Sequence, residues 1–370
     1  MAVAQLIPDI SIVYDKAVNL DEVQAPLARV CSIKSQGLTD HVGPDMIKAG
    51  LYVYFVNPRP ARTFELLQKA LEDRDRENIF VLPTYNSDSI ASLERLGINN
   101  YLILPVPPNE LCLLVKKVLN SLAEKSWASL DPAKRNAFST SLKCFENCFE
   151  QLRLGKPLPI EDIAESCMRI REAAALGGLN DWIDALDRHH NYSFRHSMFV
   201  CGSLTYFAHS LGIRGTDLEL LTVGGLLHDI GKSRIPNAIL DKSGKLDDKE
   251  WDAMKKHPEY SRTILLNEQN LDKIIVTMAA SHHEKLDGTG YPDGLSGSSI
   301  DDYVRLTTIA DVYSALIDRR SYKGSMSSED ALDMMAKFEA HLDQELLRSF
   351  RDFVLDQDRR GPSMPDSYVA

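Results

Sequence analysis

Short apolar segments alternate with helix-forming stretches over the first third of the chain, and this alternation restricts the folds open to it. The apolar segments that predict buried strands cover residues 10–14, 51–56, 79–82 and 101–104. Helical spacing appears between them at 64–72 and 90–96, and a further helix is predicted over 110–122. Strands that alternate with helices indicate an α/β fold with a doubly wound parallel sheet.

Beyond about residue 127 the pattern is helical almost throughout, which predicts a second, all-α part and a multidomain protein. Hydrophobic residues make up 44% of the 370 residues and charged residues 26%, so the chain can build a hydrophobic core. A net charge of −11 argues against a general DNA or RNA binder. No signal peptide, no bilayer-spanning segment and no CxxC pair among the six cysteines is recognisable. These features predict a cytoplasmic protein without membrane insertion.

Eight of the ten histidines fall in one stretch of the helical part. They are His189, His190, His196, His209, His228, His257, His282 and His283. The strongest local signal is a Leu-rich helix that ends in His228-Asp229 and stops at Gly231. Neighbouring side chains on a helix project about 100° apart, so one can bind a metal while the other bridges to a second. The alternative is an ordinary helix C-terminus with a histidine near the dipole end.

A second apolar helix ends in His282-His283, and Asp311 lies within a third apolar segment. A buried aspartate needs a partner or a metal. Histidine and carboxylate ligands without thiolates suit iron, manganese or zinc, and the carboxylates favour iron or manganese. A pair of such ions commonly hydrolyses phosphate esters. A Gly-rich loop around Tyr291 follows the second helix, and a plain surface loop is the alternative reading of it.

These motifs, in this order, resemble those of the HD-GYP family of the HD phosphohydrolase superfamily over roughly residues 185–350. The matching blocks are His228-Asp229-Ile230-Gly231-Lys232, Lys255-Lys256-His257-Pro258, His282-His283-Glu284, Asp287-Gly288-Thr289-Gly290-Tyr291-Pro292, Ile309-Ala310-Asp311-Val312 and Arg320-Ser321-Tyr322-Lys323, with His196-Ser197 upstream. The resemblance implies an all-helical, metal-dependent domain that hydrolyses cyclic di-GMP to pGpG in bacterial second-messenger signalling. Whether GMP follows as a further product is left open.

Carried over residue by residue, the resemblance implies a set of metal ligands, catalytic residues and substrate contacts. The implied ligands are His196, His228, Asp229, His257, His282, His283 and Asp311. Asp229 would bridge two metals, and Asp229 and Lys232 are the implied catalytic residues. The implied substrate contacts are Lys232, Gly290, Tyr291, Pro292, Arg320 and Lys323. Three-metal members carry a glutamate where this chain has Tyr192, so two divalent ions, iron or manganese, are expected.

Two alternatives to a cyclic di-GMP phosphodiesterase remain open. One is a weakly active or inactive HD-GYP module that binds nucleotide or protein partners such as diguanylate cyclases. The other is a hydrolase of another cyclic dinucleotide, such as cyclic GMP-AMP. A homodimer is the expected assembly.

The front part of the chain resembles a response-regulator receiver. Asn57 stands where the phosphoacceptor aspartate would be, Leu104 stands where a lysine normally precedes proline, and only Asp15 is acidic directly after the first strand. A degenerate receiver that cannot be phosphorylated at aspartate is therefore expected. The predicted divisions are a receiver-like domain at 1–125, a helical linker at 126–180, an HD-GYP hydrolase domain at 181–355 and a flexible tail at 356–370.

Overall fold

The computed structural model describes residues 9–15, 21–28, 31–43, 46–72, 77–98, 101–187, 189–240, 242, 245–318 and 326–360. The chain separates into two compact units, Met1–Leu122 and Ala123–Ala370. Each unit has hydrophobic clusters of its own, so each is described by itself.

The first unit contains a parallel sheet whose described strands follow the order β2-β1-β3-β4-β5. The strands are β1 (Ile10–Tyr14), β2 (Ile33–Gly37), β3 (Leu51–Phe55), β4 (Glu77–Leu82) and β5 (Tyr101–Ile103). The helices are α1 (Asp21–Leu27), α2 (Leu38–His41), α3 (Ala61–Ala70), α4 (Ser87–Arg95) and α5 (Pro108–Ser126). This strand order is that of flavodoxin-like doubly wound sheets, as expected for a receiver-like domain.

The sheet of the first unit is buried on both faces. Along β3, Leu51, Val53 and Phe55 join a cluster with residues of α1 and α5. The alternate residues Tyr52 and Tyr54 join a second cluster with residues of α3 and α4. Because successive strand residues point to opposite faces, a continuous apolar run is what a central strand covered by helices on both sides requires.

The strand β2 was not predicted from the sequence. It pairs with β1 at one edge of the described sheet, where Lys34 and Ser35 are exposed and Gln36 is buried. An edge strand with so few buried positions lacks the apolar run by which strands are recognised.

The named elements of the second unit, within its described residues, are all helices. Its helices are α6 (Pro132–Arg153), α7 (Ile160–Ala175), α8 (Leu179–Asp187), α9 (Tyr192–Ser210), α10 (Gly215–Leu227), α11 (Asn237–Leu240), α12 (Asp248–Met254), α13 (His257–Leu266), α14 (Lys273–Ser281), α15 (Asp302–Ile317), α16 (Ser328–Ala336) and α17 (Gln344–Arg360). Short 3₁₀ turns occupy Trp127–Ser129, Ile230–Arg234 and Gly297–Ser299.

Helix α9 lies at the centre of this unit and packs against α7, α8, α10 and α15. Every residue from Phe194 to Ala208 is buried. A helix that is apolar or small on all sides must be surrounded by other helices, because none of its faces can be left to water. The polar side chains on α9 are therefore held at fixed positions inside the protein.

Helix α6 begins with a side-chain cap and a proline. The Asp131 carboxylate accepts a hydrogen bond from Ala133 N, and Pro132 occupies the first helical turn. Proline suits this position because its missing N–H has no helical partner there. The helix ends at Arg153, before the segment 156–159 that contains two prolines.

Candidate metal centre

The side chains that the sequence singled out as metal ligands come together in the second unit, carried by three helix ends and two buried helix faces. His228 follows the last residue of α10, and His282 follows the last residue of α14. His257 begins α13, three residues after the end of α12. His196 lies one turn inside α9, and Asp311 lies in the middle of α15.

The candidate ligands form two groups. In the first, His196 Nε2 lies 3.0 Å from Asp311 Oδ1, and His228 Nε2 lies 3.9 Å from the same oxygen. In the second, His257 Nε2 lies 3.3 Å from His282 Nε2 and 3.2 Å from His283 Nε2. The ligand atoms within each group lie within 4.8 Å of one another, close enough to share one ion.

Asp229 lies between the two groups and turns one oxygen toward each. Its Oδ2 is 3.4 Å from His196 Nε2 and 3.2 Å from His228 Nε2. Its Oδ1 is 3.2 Å from His257 Nε2 and 3.8 Å from His282 Nε2. A carboxylate in this position can bridge two ions, one on either side.

The backbone fixes which nitrogen three of the histidines present to the centre. Nδ1 lies 2.8 Å from Gly225 O in His228, 2.8 Å from Met254 O in His257 and 3.1 Å from Ala279 O in His282. A carbonyl only accepts, so Nδ1 must carry the hydrogen, and in the neutral ring Nε2 then carries the lone pair. Each carbonyl belongs to the last turn of a helix, where it lacks a helical partner.

Buried polar atoms in the cluster support a metal. Among the described residues, His228 Nε2 and Asp229 Oδ1 are buried without a hydrogen-bond partner. An unsatisfied buried polar atom is costly, and a cation between the two groups would satisfy both atoms. Imidazole and carboxylate donors without thiolate suit iron, manganese or zinc, so the residues present fit divalent ions.

Electrostatics favour the protonation states that metal binding needs. Burial lowers the pKa of His283 to about 3 and lowers the pKa of His282 well below its usual value. Both rings are therefore neutral near pH 7 and can act as ligands. Burial alone would raise the pKa of Asp229, but the Lys232 ammonium and His228 hold it well below its usual value. The centre thus contains the Asp229 carboxylate beside the neutral rings of His282 and His283, while Asp229 and Asp311 raise the pKa of His228 above its usual value.

Lys232 reaches the centre from the 3₁₀ turn that follows Asp229. Its Nζ lies 2.5 Å from Asp229 Oδ2. Burial works against its charge, yet the neighbouring Asp229 raises the pKa of Lys232 above its usual value. The ammonium group is therefore retained beside the candidate ligands, where it can face an anionic substrate.

The Gly-rich loop also lies at the centre. The Tyr291 ring stacks on the His283 ring with centroids 4.8 Å apart, and Tyr291 N donates to His283 O. A Cβ on Gly290 would lie 2.5 Å from Glu284 Cα, so only glycine fits there. Pro292 follows in the same loop. The sequence predictions for Gly290, Tyr291 and Pro292 thus fall on a loop that touches a candidate ligand.

Arg320 and Lys323, the other predicted substrate contacts, lie outside the described residues.

The Tyr192 ring lies nearly parallel to that of His196, with centroids 5.8 Å apart. Of the remaining histidines in this stretch, His189 is buried against Trp127 and Phe194.

Two hydroxyl groups near the centre were missed by sequence reasoning. Ser261 Oγ accepts from Gly231 N and donates to His228 O, which joins α13 to the turn after α10. Thr308 Oγ1 donates to His282 O at 2.9 Å, which joins α15 to the end of α14. Neither residue has a distinctive sequence spacing, because each bonds to a segment distant in the chain.

Comparison with known proteins identifies the part of the chain that holds these residues. Residues 182–346 match the family model described as an HD domain. This part of the chain is an HD domain. The candidate ligands His196 through Asp311 all lie within it.

The HD domain has relatives among cyclic dinucleotide enzymes. A cyclic di-GMP phosphodiesterase of Pseudomonas aeruginosa is 35% identical over 43% of this chain and 38% of its own. A 3'3'-cGAMP-specific phosphodiesterase 3 of Vibrio cholerae is 34% identical over 60% of this chain and 48% of its own. The chain therefore spans less than half the length of either relative.

A solved structure shares the fold. It is described as an HDG"Y"P protein from Bdellovibrio bacteriovorus, and it is 19% identical with a TM-score of 0.50 over 67% of this chain and 80% of that chain. At this level of identity the likeness shows a shared fold and nothing further. In addition, none of the described helices has the length and apolar character to cross a membrane.

In the first unit, Asn57 stands at the place of the phosphoacceptor aspartate of a receiver. Asn57 N donates to Asp15 Oδ2 at 2.8 Å, and Asn57 Oδ1 accepts from Ser89 Oγ at 3.2 Å. Asn57 and Asp15 follow β3 and β1, which are neighbours in the sheet. A side-chain amide at this place is not a phosphoacceptor, so phosphorylation at Asn57 is not expected.

Proposed function

We propose that the HD domain is a metal-dependent phosphodiesterase that linearises a cyclic dinucleotide, with cyclic di-GMP as its first candidate substrate and pGpG as the product. The observation that carries the proposal is the position of Asp229, whose two oxygens face separate groups of histidines. A carboxylate shared in this way is what a pair of ions needs in order to act on one phosphate.

The proposal assigns one ion to His196, His228 and Asp311, and a second to His257, His282 and His283, with Asp229 common to both. Divalent ions held there would supply Lewis acidity and a water of lowered pKa for phosphodiester hydrolysis. Iron and manganese suit this ligand set best.

The chain's own residues would bind and orient the substrate. The buried Lys232 ammonium would stabilise negative charge on the phosphoryl oxygens, because a fixed cation acts strongly where water is excluded. Tyr291, on its loop over His283, would form one wall of the substrate pocket. Arg320 and Lys323 remain predicted contacts to phosphate or guanine.

The names of the relatives support two substrates. One relative is named for cyclic di-GMP and another for 3'3'-cGAMP, so cyclic GMP-AMP is the second candidate. The division at residues 125, 180 and 355, a homodimer, and a signalling partner such as a diguanylate cyclase remain predictions.

The direct test is hydrolysis of each dinucleotide by the purified full chain, prepared without oxygen and supplied with Mn²⁺ or Fe²⁺. Chromatography should detect a linear dinucleotide from at least one of them. His283→Ala should lower the rate at least about a hundredfold, because it removes a ligand. His209→Ala, in the last turn of α9 and outside the candidate ligands, should leave the rate unchanged. Binding of either dinucleotide without turnover would instead favour a binding module.

A further inference from the structure

The loop that follows His283 is closed at its base by backbone contacts. Leu286 O accepts from Gly297 N, and Asp287 pairs with Ser296 in an isolated antiparallel bridge. These contacts fix the two ends of the loop. They do not fix the conformation of the loop tip, residues 290–294, which depends on other contacts.

A buried carboxylate holds the far side of this tip. Glu284 is only 2% exposed, although it directly follows a candidate metal ligand. Its Oε1 accepts from Asp293 N at 2.7 Å and from Gly294 N at 3.1 Å, and its Oε2 accepts from Leu295 N at 3.0 Å. Three consecutive backbone donors are thus gathered on one side chain.

The near side of the tip rests on the same residue. Gly290 packs so closely on the Glu284 backbone that a Cβ would clash with it, and Tyr291 N donates to His283 O. The Tyr291 ring consequently lies on the His283 ring. Glu284 therefore connects the position of Tyr291 to the backbone that carries a candidate ligand.

We propose that Glu284 is a positioning residue that holds the loop tip so that Tyr291 stays over His283 and forms the substrate wall. A carboxylate has acceptors but no donors, so it can satisfy three N–H groups of consecutive loop residues that converge on it. Hydrogen bonds of this charge-assisted kind are strong enough to select one loop conformation.

Hydrogen–deuterium exchange of the metal-loaded full chain tests the positioning directly. In Glu284→Gln one accepting oxygen becomes a donor, so at least one of the three N–H groups loses its partner. Peptides that contain residues 293–295 should exchange at least about tenfold faster in Glu284→Gln and faster still in Glu284→Ala. Asp287→Asn is the matched control, because its carboxylate accepts from Thr289 in the same loop and faces His341 rather than residues 293–295. It should leave exchange at 293–295 unchanged.

The kinetic arm rests on the proposed function. With whichever dinucleotide the wild-type protein hydrolyses, Glu284→Gln should raise KM about tenfold with a smaller change in kcat, because substrate binding is what the wall supports. Bound metal per chain should stay at the wild-type value. Unchanged exchange at 293–295 would overturn the proposal, as would loss of metal with KM unchanged. If the wild-type protein hydrolyses neither dinucleotide, the proposed function fails, while the exchange arm still decides whether Glu284 holds the loop.

Discussion

At the scale of single residues, the candidate centre depends on how three imidazole rings are turned. In each of these rings, Nδ1 donates a hydrogen bond to a carbonyl oxygen in the last turn of a helix; the residues are His228, His257 and His282. Each of these hydrogen bonds satisfies a carbonyl that the helix leaves unpaired, and it also turns Nε2 of the ring toward the centre. The cluster is therefore oriented by backbone groups, which a change of surrounding side chains does not remove.

The hydroxyl of Thr308 extends this orientation to the backbone of His282. We expect Thr308→Val to weaken metal binding roughly 10- to 100-fold, because the hydrogen bond to His282 O is lost. Thr307→Val is the matched control, since Thr307 is also buried but bonds only within its own helix, to Tyr303 O. Competition with a fluorescent chelator measures the affinity of both variants. Equal affinities for the two would show that the bond to His282 O is irrelevant to the metal.

Asp229 is the residue on which the two-ion reading depends. Asp229→Asn should reduce bound metal to one ion per chain or fewer and lower hydrolysis at least about a hundredfold, because an amide is a much poorer bridge than a carboxylate. Metal analysis of the purified variant checks the first outcome, and product chromatography checks the second. A variant with wild-type metal content and rate would rule out the bridging role.

The residues of the centre were predictable from sequence to the extent that they stand in distinctive pairs. His228-Asp229 and His282-His283 mark ends of apolar helices, where titratable residues are unexpected. Ser261 and Thr308 gave no such signal, and Glu284 stood in a matching block without a role, because each acts through a backbone group that folding brings to it. Hydrogen bonds of this kind depend on tertiary contacts, which a local pattern does not contain.

At the scale of elements, the turn after α10 packs directly on the backbone of α13 and is hydrogen-bonded to it. A Cβ on Gly231 would lie 2.0 Å from His257 O and 2.5 Å from Ser261 N, both backbone atoms. Only glycine allows this approach, and Ser261 then bonds to Gly231 N and His228 O. The close approach at Gly231 and the two Ser261 hydrogen bonds set the distance between Asp229 and His257, which belong to different segments.

Gly231→Ala should therefore disturb both the fold and the centre. We expect a loss of at least about 1–3 kcal/mol in the free energy of unfolding, because a backbone clash cannot be relieved by a side-chain rotation. Gly224→Ala should cost less, because there the new methyl group meets only the flexible Met278 side chain. Thermal unfolding with metal removed by chelator compares the two variants. A milder effect for Gly231→Ala than for Gly224→Ala would contradict the role of this close approach.

Strand prediction illustrates why some elements were visible in the sequence and one was not. The central strand β3 is apolar on both faces, since helices cover each of them. The edge strand β2 exposes Lys34 and Ser35, and its pairing with β1 comes from backbone hydrogen bonds. Burial leaves a sequence pattern, whereas pairing at an edge leaves almost none.

At the scale of the whole molecule, the two units have separate hydrophobic clusters. Those of the second unit contain residues from Trp127 to Val354 and none from the first unit. All seven candidate ligands lie in the second unit. The second unit thus has both the core and the ligands that a metal-binding fold needs.

A protein comprising residues 123–370 should accordingly fold by itself and bind metal. We expect one cooperative thermal transition and the same number of ions per chain as in the full-length protein, because neither depends on residues of the first unit. Circular dichroism and metal analysis give the two results. A fragment that is unfolded or free of metal would show that the first unit is required for the centre.

The central claim is that two ions, one on each side of Asp229, act together on a cyclic dinucleotide. The most direct measurement is a metal titration of the metal-free protein without oxygen, in which bound Mn²⁺ or Fe²⁺ and dinucleotide turnover are measured on the same samples. Turnover should stay near zero with one ion per chain and appear as the second ion binds. Full turnover with a single ion, or no turnover with two ions bound, would contradict it.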